Sequence, residues 1–165
     1  MQNIVFNPAL IIGASGGIGF AMLQQLLNAK QTVFASSRDT ASLLEKISPL
    51  STEDQTNLTV IEMDLSKQDS IEQGFREIRK KTEHLRLLVN CSGLLHDDHL
   101  KPEKRIEDAE QENLLNAFTI NSIAPLLIAR YAMPLLQHDS NSILANISAR
   151  VGSISDNRLV CLSCQ

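Results

Sequence analysis

The chain is short of sulfur ligands, of basic charge and of uninterrupted apolar sequence. Three cysteines occur in 165 residues. Cys161 and Cys164 form one C-x-x-C at the very end, with neither the helix N-terminus that a redox pair uses nor the second ligand pair of a structural zinc site. Cys91 stands in an apolar stretch, where a reduced core cysteine is expected. No metal site is expected. Lysine and arginine number 15 against 19 aspartate and glutamate, a net charge of −4, which argues against a nucleic-acid-binding surface. The longest apolar run, "APLLIARYAMPLL", is broken by Arg130 and two prolines and falls short of a membrane span. The N-terminus has no basic region of the kind that opens a signal peptide. A cytoplasmic protein with no membrane or nucleic-acid partner is therefore expected. There is no repeat, linker or low-complexity segment. Hydrophobic content of 43% and charged content of 21% suit one globular domain over 1–165, with an irregular tail at 159–165.

Apolar runs alternate with amphipathic stretches. "ALIIGAS" (9–15), "QTVFASS" (31–37), "LTVIEMDL" (58–65), "LRLLVNCSG" (85–93) and "SILANIS" (142–148) read as strands. Helices are expected over 19–30, where Met22, Leu23, Leu26 and Leu27 share a face, over 40–47, and over 111–137. Another is expected over 66–81, with Ser66 as N-cap and Asp69 completing an approximate capping box. Residues 50–57 read as a polar loop and 94–110 as charged and irregular at first. Strands apolar on both faces, alternating with helices, predict an α/β fold. It is a doubly wound, Rossmann-type parallel sheet with helices on both faces and strand order 3-2-1-4-5.

"IIGASGGIGF" places Gly13, Gly17 and Gly19 between strand one and helix one. A tight turn, close backbone approach to a pyrophosphate and close helix–strand packing each call for glycine there. The free N–H groups of the helix N-terminus then receive the anion. A dinucleotide is the expected ligand. At the tip of strand two, an acid would hold the ribose hydroxyls of NAD and repel a 2′-phosphate. The tip instead reads Ser36-Ser37-Arg38. A hydroxyl and a guanidinium favour NADP over NAD, unless Arg38 is solvated or pairs with Asp39.

The spacing G-x-x-x-G-x-G resembles that of the short-chain dehydrogenase/reductase family, and further matches follow in order. Asp64-Leu65 resemble the pair that contacts the adenine ring. "NCSG" (90–93) is similar to the family's N-N-A-G, Asn121 in "FTINSIAP" to its helix asparagine, and "NISARVGSI" to its active-site serine segment. The match covers residues 9 to 155. "GLLHDDHLKPEKR" and "ISARVGSISDNR" resemble the C-factor-like branch. The resemblance implies cofactor contacts at Gly13, Ser15, Gly17, Ile18, Gly19, Ser37, Arg38, Asp64, Leu65, Asn90 and Gly93. It also implies catalytic roles for Asn121 and a serine, and a small carbonyl substrate reduced by hydride transfer. Relatives often read S-S-x-x-G, with the second serine acting. Here alanine holds that place, so Ser148 is the candidate, with Ser153 the next hydroxyl and a structural strand-end serine the competing reading. Taken singly, Asp64 also reads as a loop or capping carboxylate, Asn90 as a turn residue and Asn121 as a satisfied helix polar group.

In relatives a tyrosine downstream of the serine passes the proton, and a lysine four residues later lowers its pKa, ordinarily ~10. The only tyrosine here is Tyr131, upstream of the serine segment, and Leu135 stands four residues after it. The tail "LVCLSCQ" reads as a truncation or a change of reading frame. The expectation is thus an NADP-dependent oxidoreductase by resemblance, C-terminally incomplete and catalytically impaired. A non-catalytic dinucleotide-binding module and a decayed product remain as alternatives. In relatives the long helix packs partly on the sheet and partly on a neighbouring subunit. Its apolar residues run nearly all round, so self-association through about 112–137 is expected.

Overall fold

Strand β1 (Ala9–Ile12) is buried along its whole length. Successive side chains of a strand point to opposite faces, so both faces of the sheet here must be covered. In a computed structural model of the chain, which describes residues 6–50, 52–94, 107 and 109–148, they are. Leu10 and Ile12 enter one core with Phe34, Leu88, Ile71, Phe75, Ile78, Ala124 and Ile128. Ala9 and Ile11 enter a second core with Val33, Ala35, Val89, Leu23, Leu27, Leu43 and Ile47.

The five strands are β1, β2 (Val33–Ser37), β3 (Leu58–Glu62), β4 (Leu87–Asn90) and β5 (Ile143–Asn146). Their order is β3-β2-β1-β4-β5, and every pairing is parallel. This is the expected Rossmann-type sheet. α1 (Gly17–Asn28) and α2 (Thr40–Ile47) cover one face; α4 (Gln68–Arg79) and α6 (Ala124–Leu136) cover the other. From β1 the chain builds outward through β2 and β3, then returns to place β4 on the other side of β1. Ile12 pairs with Ser36 on one side and Asn90 on the other. The strand order reverses there, opening a crevice at the carboxyl ends of β1 and β4 where such folds bind ligands.

Three local expectations are corrected. Residues 50–57 are not all loop, since α3 spans Thr52–Thr56. α4 starts at Gln68 with no side-chain cap rather than at Ser66. Ser66 bonds instead to Asp64 through its N–H (3.0 Å) and Oγ (2.7 Å), so the local Asx-type turn wins over the capping box. The apolar run around Arg130 is also not broken. α5 (Gln111–Phe118), a π-helical turn (Thr119–Ile123) and α6 follow without interruption, giving 26 residues of mean hydropathy 1.2 in the most apolar window. By length and composition alone that run could cross a membrane, a test that core helices of soluble proteins also pass.

Both prolines are accommodated. Pro125 lies in the first turn of α6, directly after the π-helical turn, whereas Pro134 lies inside the helix near its C-terminal end and removes one i→i−4 bond there. The widened turn just before Pro125 has the Ala124 N–H bonding back to the Thr119 carbonyl, a register that interrupts the i→i−4 ladder where Pro125 would clash with it. Residues 149–165, with the C-x-x-C pair, Ser153 and the expected irregular tail, lie outside the described residues.

Candidate active site and dinucleotide cleft

The glycine loop leaves β1 with two N–H groups, those of Gly13 and Ala14, donating to the Ser36 carbonyl (3.1 and 2.9 Å). Gly13 then turns at φ +76°, and a Cβ there would stand 2.4 Å from Ser92 Oγ. Gly19 is excluded from any larger residue for another reason: its Cβ would lie 2.3 Å from the Gly13 carbonyl oxygen. These two glycines serve the fold. Gly17 differs, because among the described residues a Cβ there would meet nothing within 4 Å. It opens α1, whose N-cap Gly16 offers no side-chain cap. The first-turn N–H groups, which no helix can satisfy internally, thus lie beside two glycines that carry no side chain to cap or cover them. That arrangement fits a pyrophosphate. Ile18, in the same turn, is 58% exposed.

At the tip of β2, Ser37 is buried and its Oγ lies 3.0 Å from Ser15 Oγ and 2.8 Å from the Asp39 carbonyl. Asp39 does not pair with Arg38. Its carboxylate accepts from the Ser42 N–H at 3.0 Å and caps α2. Arg38 is exposed. A residue the sequence did not single out joins this group: Lys46 of α2 donates from Nζ to the Ser15 carbonyl at 2.6 Å.

Asp64 follows β3. Burial alone would raise its pKa, but the two hydrogen bonds from Ser66 and the ion pair with Lys67 (3.2 Å) hold the carboxyl below its ordinary value. The loop-carboxylate role is therefore occupied. Leu65 is 7% exposed and belongs to the core beside α4, so a ligand contact there falls to its backbone.

Asn90 ends β4. Its Nδ2 donates to Asn146 Oδ1 at 3.1 Å and its Oδ1 accepts from the Ser92 N–H at 3.1 Å. Two strand-end asparagines thus tie β4 to β5. Asn146 escaped the sequence reading, although its place two residues before Ser148 was the available signal. Asn121, in the π-helical turn, clamps Leu94 reciprocally: Nδ2 donates to the Leu94 carbonyl (2.7 Å) and Oδ1 accepts from the Leu94 N–H (2.8 Å). Gly93 approaches this clamp; a Cβ there would lie 3.7 Å from Asn121 Oδ1. Ser148 is exposed just beyond β5.

Tyr131 is elsewhere. Its hydroxyl donates to Glu72 Oε2 (3.1 Å) and accepts from Gln68 Nε2 (3.2 Å). Its ring stacks on Phe75 and lies under Arg130. Ten helical residues, ~15 Å of axis, separate it from Asn121.

The chain as a whole is similar to known proteins. A short-chain type dehydrogenase/reductase of Helicobacter pylori is 28% identical over 147 residues, 89% of this chain and 49% of its own. The 3-amino-tetrahydro-pyrrolizinone reductase of Xenorhabdus hominickii is 28% identical over 148 residues, covering 88% of this chain and 46% of its own. The chain therefore spans about half the length of these curated relatives. Among solved structures, the NADPH-bound carbonyl reductase from chicken fatty liver superposes with a TM-score of 0.80 at 27% identity, covering 94% of this chain and 63% of that one. The short chain dehydrogenase family model matches residues 7–162, and the chain belongs to that family.

Proposed function

We propose that this chain binds NADP(H) in preference to NAD(H) and that the chemistry it serves is reduction of a small carbonyl compound. The observation that carries the cofactor preference is Arg38, exposed next to Ser37 while Asp39 is turned away to cap α2. No acid then stands at the Ser37 position to repel a 2′-phosphate, and a guanidinium is free to approach it. The NADPH-bound chicken carbonyl reductase supports both halves of the reading.

The cofactor, when bound, supplies a hydride. The chain's own residues bind and orient. The α1 N-terminus beside Gly17 receives the pyrophosphate, Gly13, Ser15 and Gly19 shape the loop, and Ile18 offers an apolar surface at the cleft. Asp64 and the Leu65 backbone border the adenine, and Asn90 and Gly93 border the crevice at β4. Asn121 fixes the segment after β4 through Leu94, and Ser148 is the candidate to polarise the carbonyl. Tyr131, committed to Glu72 and Gln68, does not supply a proton there. On these 165 residues alone, turnover is therefore expected to be lower by about 10²–10⁴-fold, the usual cost of losing a positioned proton donor.

Titration of the purified chain with NADPH and NADH by fluorescence tests the reading. NADPH should bind more tightly, and Arg38→Ala should remove most of that preference at a cost of about 1–3 kcal/mol. Equal affinities in the parent protein would overturn it. NADPH consumption with aldehydes or ketones, followed in the same preparation, should sit at or below detection; steady turnover would reveal another proton donor.

We further propose self-association through α5 and α6. Leu115, Phe118, Ile123, Leu126 and Met133 expose between 40% and 73% of their surface on this helix run, a pattern that marks an interface.

A further inference from the structure

We infer that Lys46 is a second cation of the 2′-phosphate subsite, acting with Arg38. The inference rests on the NADP reading above. A lysine in the last turn of an exposed helix ordinarily extends into water, where it complements the helix C-terminus. Lys46 instead reaches across 31 positions of sequence to the Ser15 carbonyl, at 2.6 Å. That contact places a positive charge on the glycine loop itself.

The neighbourhood is suited to a phosphate. Ser15 Oγ lies 3.0 Å from Ser37 Oγ, and Ser37 holds the position whose chemistry separates the two dinucleotides. Arg38 follows directly and makes no ion pair with any described residue. An ammonium has three donors; one goes to the Ser15 carbonyl and two remain. Asp39, the nearest acid in sequence to Arg38, spends its carboxylate on the N-cap of α2. Glu45, beside Lys46 in sequence, is exposed and forms no ion pair with it among the described residues. A phosphomonoester carries close to two negative charges near neutral pH. The Ser15 and Ser37 hydroxyls bond each other on the same loop that Lys46 contacts, and a planar guanidinium and a point-like ammonium are complementary partners for such a charge.

The competing role for Lys46 is purely mechanical, a strap holding α2 to the loop. The two differ in what they do to ligands that lack the 2′-phosphate. Calorimetric titration of the full chain with NADPH, NADH, 2′,5′-ADP and 5′-AMP separates them. Lys46→Met should weaken NADPH and 2′,5′-ADP about tenfold, the loss of one charge-assisted contact, and leave NADH and 5′-AMP within about twofold. Lys46→Arg should keep most of the preference. On the unaltered chain, 2′,5′-ADP should slow acetylation of Lys46, read by mass spectrometry, and 5′-AMP should not; this arm is independent of how the variants fold. Equal weakening of all four ligands would leave only the strap, and no weakening with no protection would leave a solvated lysine; either overturns the inference while the NADP reading stands. An unaltered chain that fails to distinguish 2′,5′-ADP from 5′-AMP would overturn the NADP reading and this inference together.

Discussion

Three glycines of one loop carry three different requirements, and a single methyl group distinguishes them. At Gly19 the added carbon would sit 2.3 Å from a backbone oxygen, so α1 must move off β1. Gly19→Ala should cost about 1–3 kcal/mol of stability, as overpacking does, and should lower the urea midpoint. At Gly17 the same methyl meets open space. Gly17→Ala should leave stability unchanged or raise it by up to about 1 kcal/mol through helix propensity, with the urea midpoint following, yet weaken NADPH binding at least tenfold by filling the space before the α1 N-terminus. A Gly17→Ala protein that binds normally would remove the pyrophosphate from this position. The sequence announced all three glycines as a cluster, because spacing is visible in one dimension. Which of them the fold needs and which it leaves open became visible only with the Gly13 carbonyl and Ser92 in place. Lys46 and Asn146 were illegible for the same reason. Their partners, Ser15 and Asn90, are 31 and 56 positions away, and no local pattern marks such pairs.

Local elements were legible where periodicity decides and misread where short polar side chains compete for the backbone. α2 spans 40–47 as its sequence reads, and the Asp39 side chain, which the sequence offered only as a partner for Arg38, caps it. Ser66 was expected to cap α4 but bonds to Asp64, and the helix starts at Gln68. Two hydroxyl and carboxylate side chains in five residues admit either arrangement, and only the neighbouring Lys67 ion pair and the Ser70 hydroxyl, which accepts from the Asp64 N–H at 2.9 Å, tip the balance. This turn has a pH signature. The Asp64 carboxyl is held below its ordinary value by Ser66 and Lys67 against the opposing effect of burial. A depressed pKa in the fold stabilises above the unfolded value, about 3.9, and that contribution is lost as the pH falls through the folded value. Asp64→Asn should therefore lower the urea midpoint at pH 7, and the difference from the parent should shrink below about pH 4. A difference that stays constant from pH 3 to pH 7 would mean that the carboxylate charge plays no part in the turn.

At the scale of the whole molecule, the sheet and its two cores were predictable because strands buried on both faces leave few alternatives. The outer surface was harder to read. Sequence alone showed α5 and α6 as apolar nearly all round, and the fold separates that circumference. Ala117, Ala124, Ile128, Ala132 and Leu135 go inward, while Phe118, Leu126 and Met133 stay outside. Size-exclusion chromatography with light scattering should find a dimer or larger species at tens of micromolar, and Leu126→Glu with Phe118→Glu should shift it toward monomer. A parent protein that runs as a clean monomer and binds no hydrophobic dye would mean that this surface is covered within the chain.

The pairing of Ala9 with Leu87 also sets the order of events during synthesis. All the pairings are parallel, so no hairpin can zip any two strands together, and each must wait for a crossover. β1 is the centre of the sheet and the first in sequence of the five described strands, and one of its edges stays open until β4 emerges 78 residues later. At the usual pace of translation, about 5–20 residues per second, the chain's most buried strand spends roughly 4 to 16 seconds with at least one edge unpaired, an interval in which the nascent chain exposes its most apolar sequence.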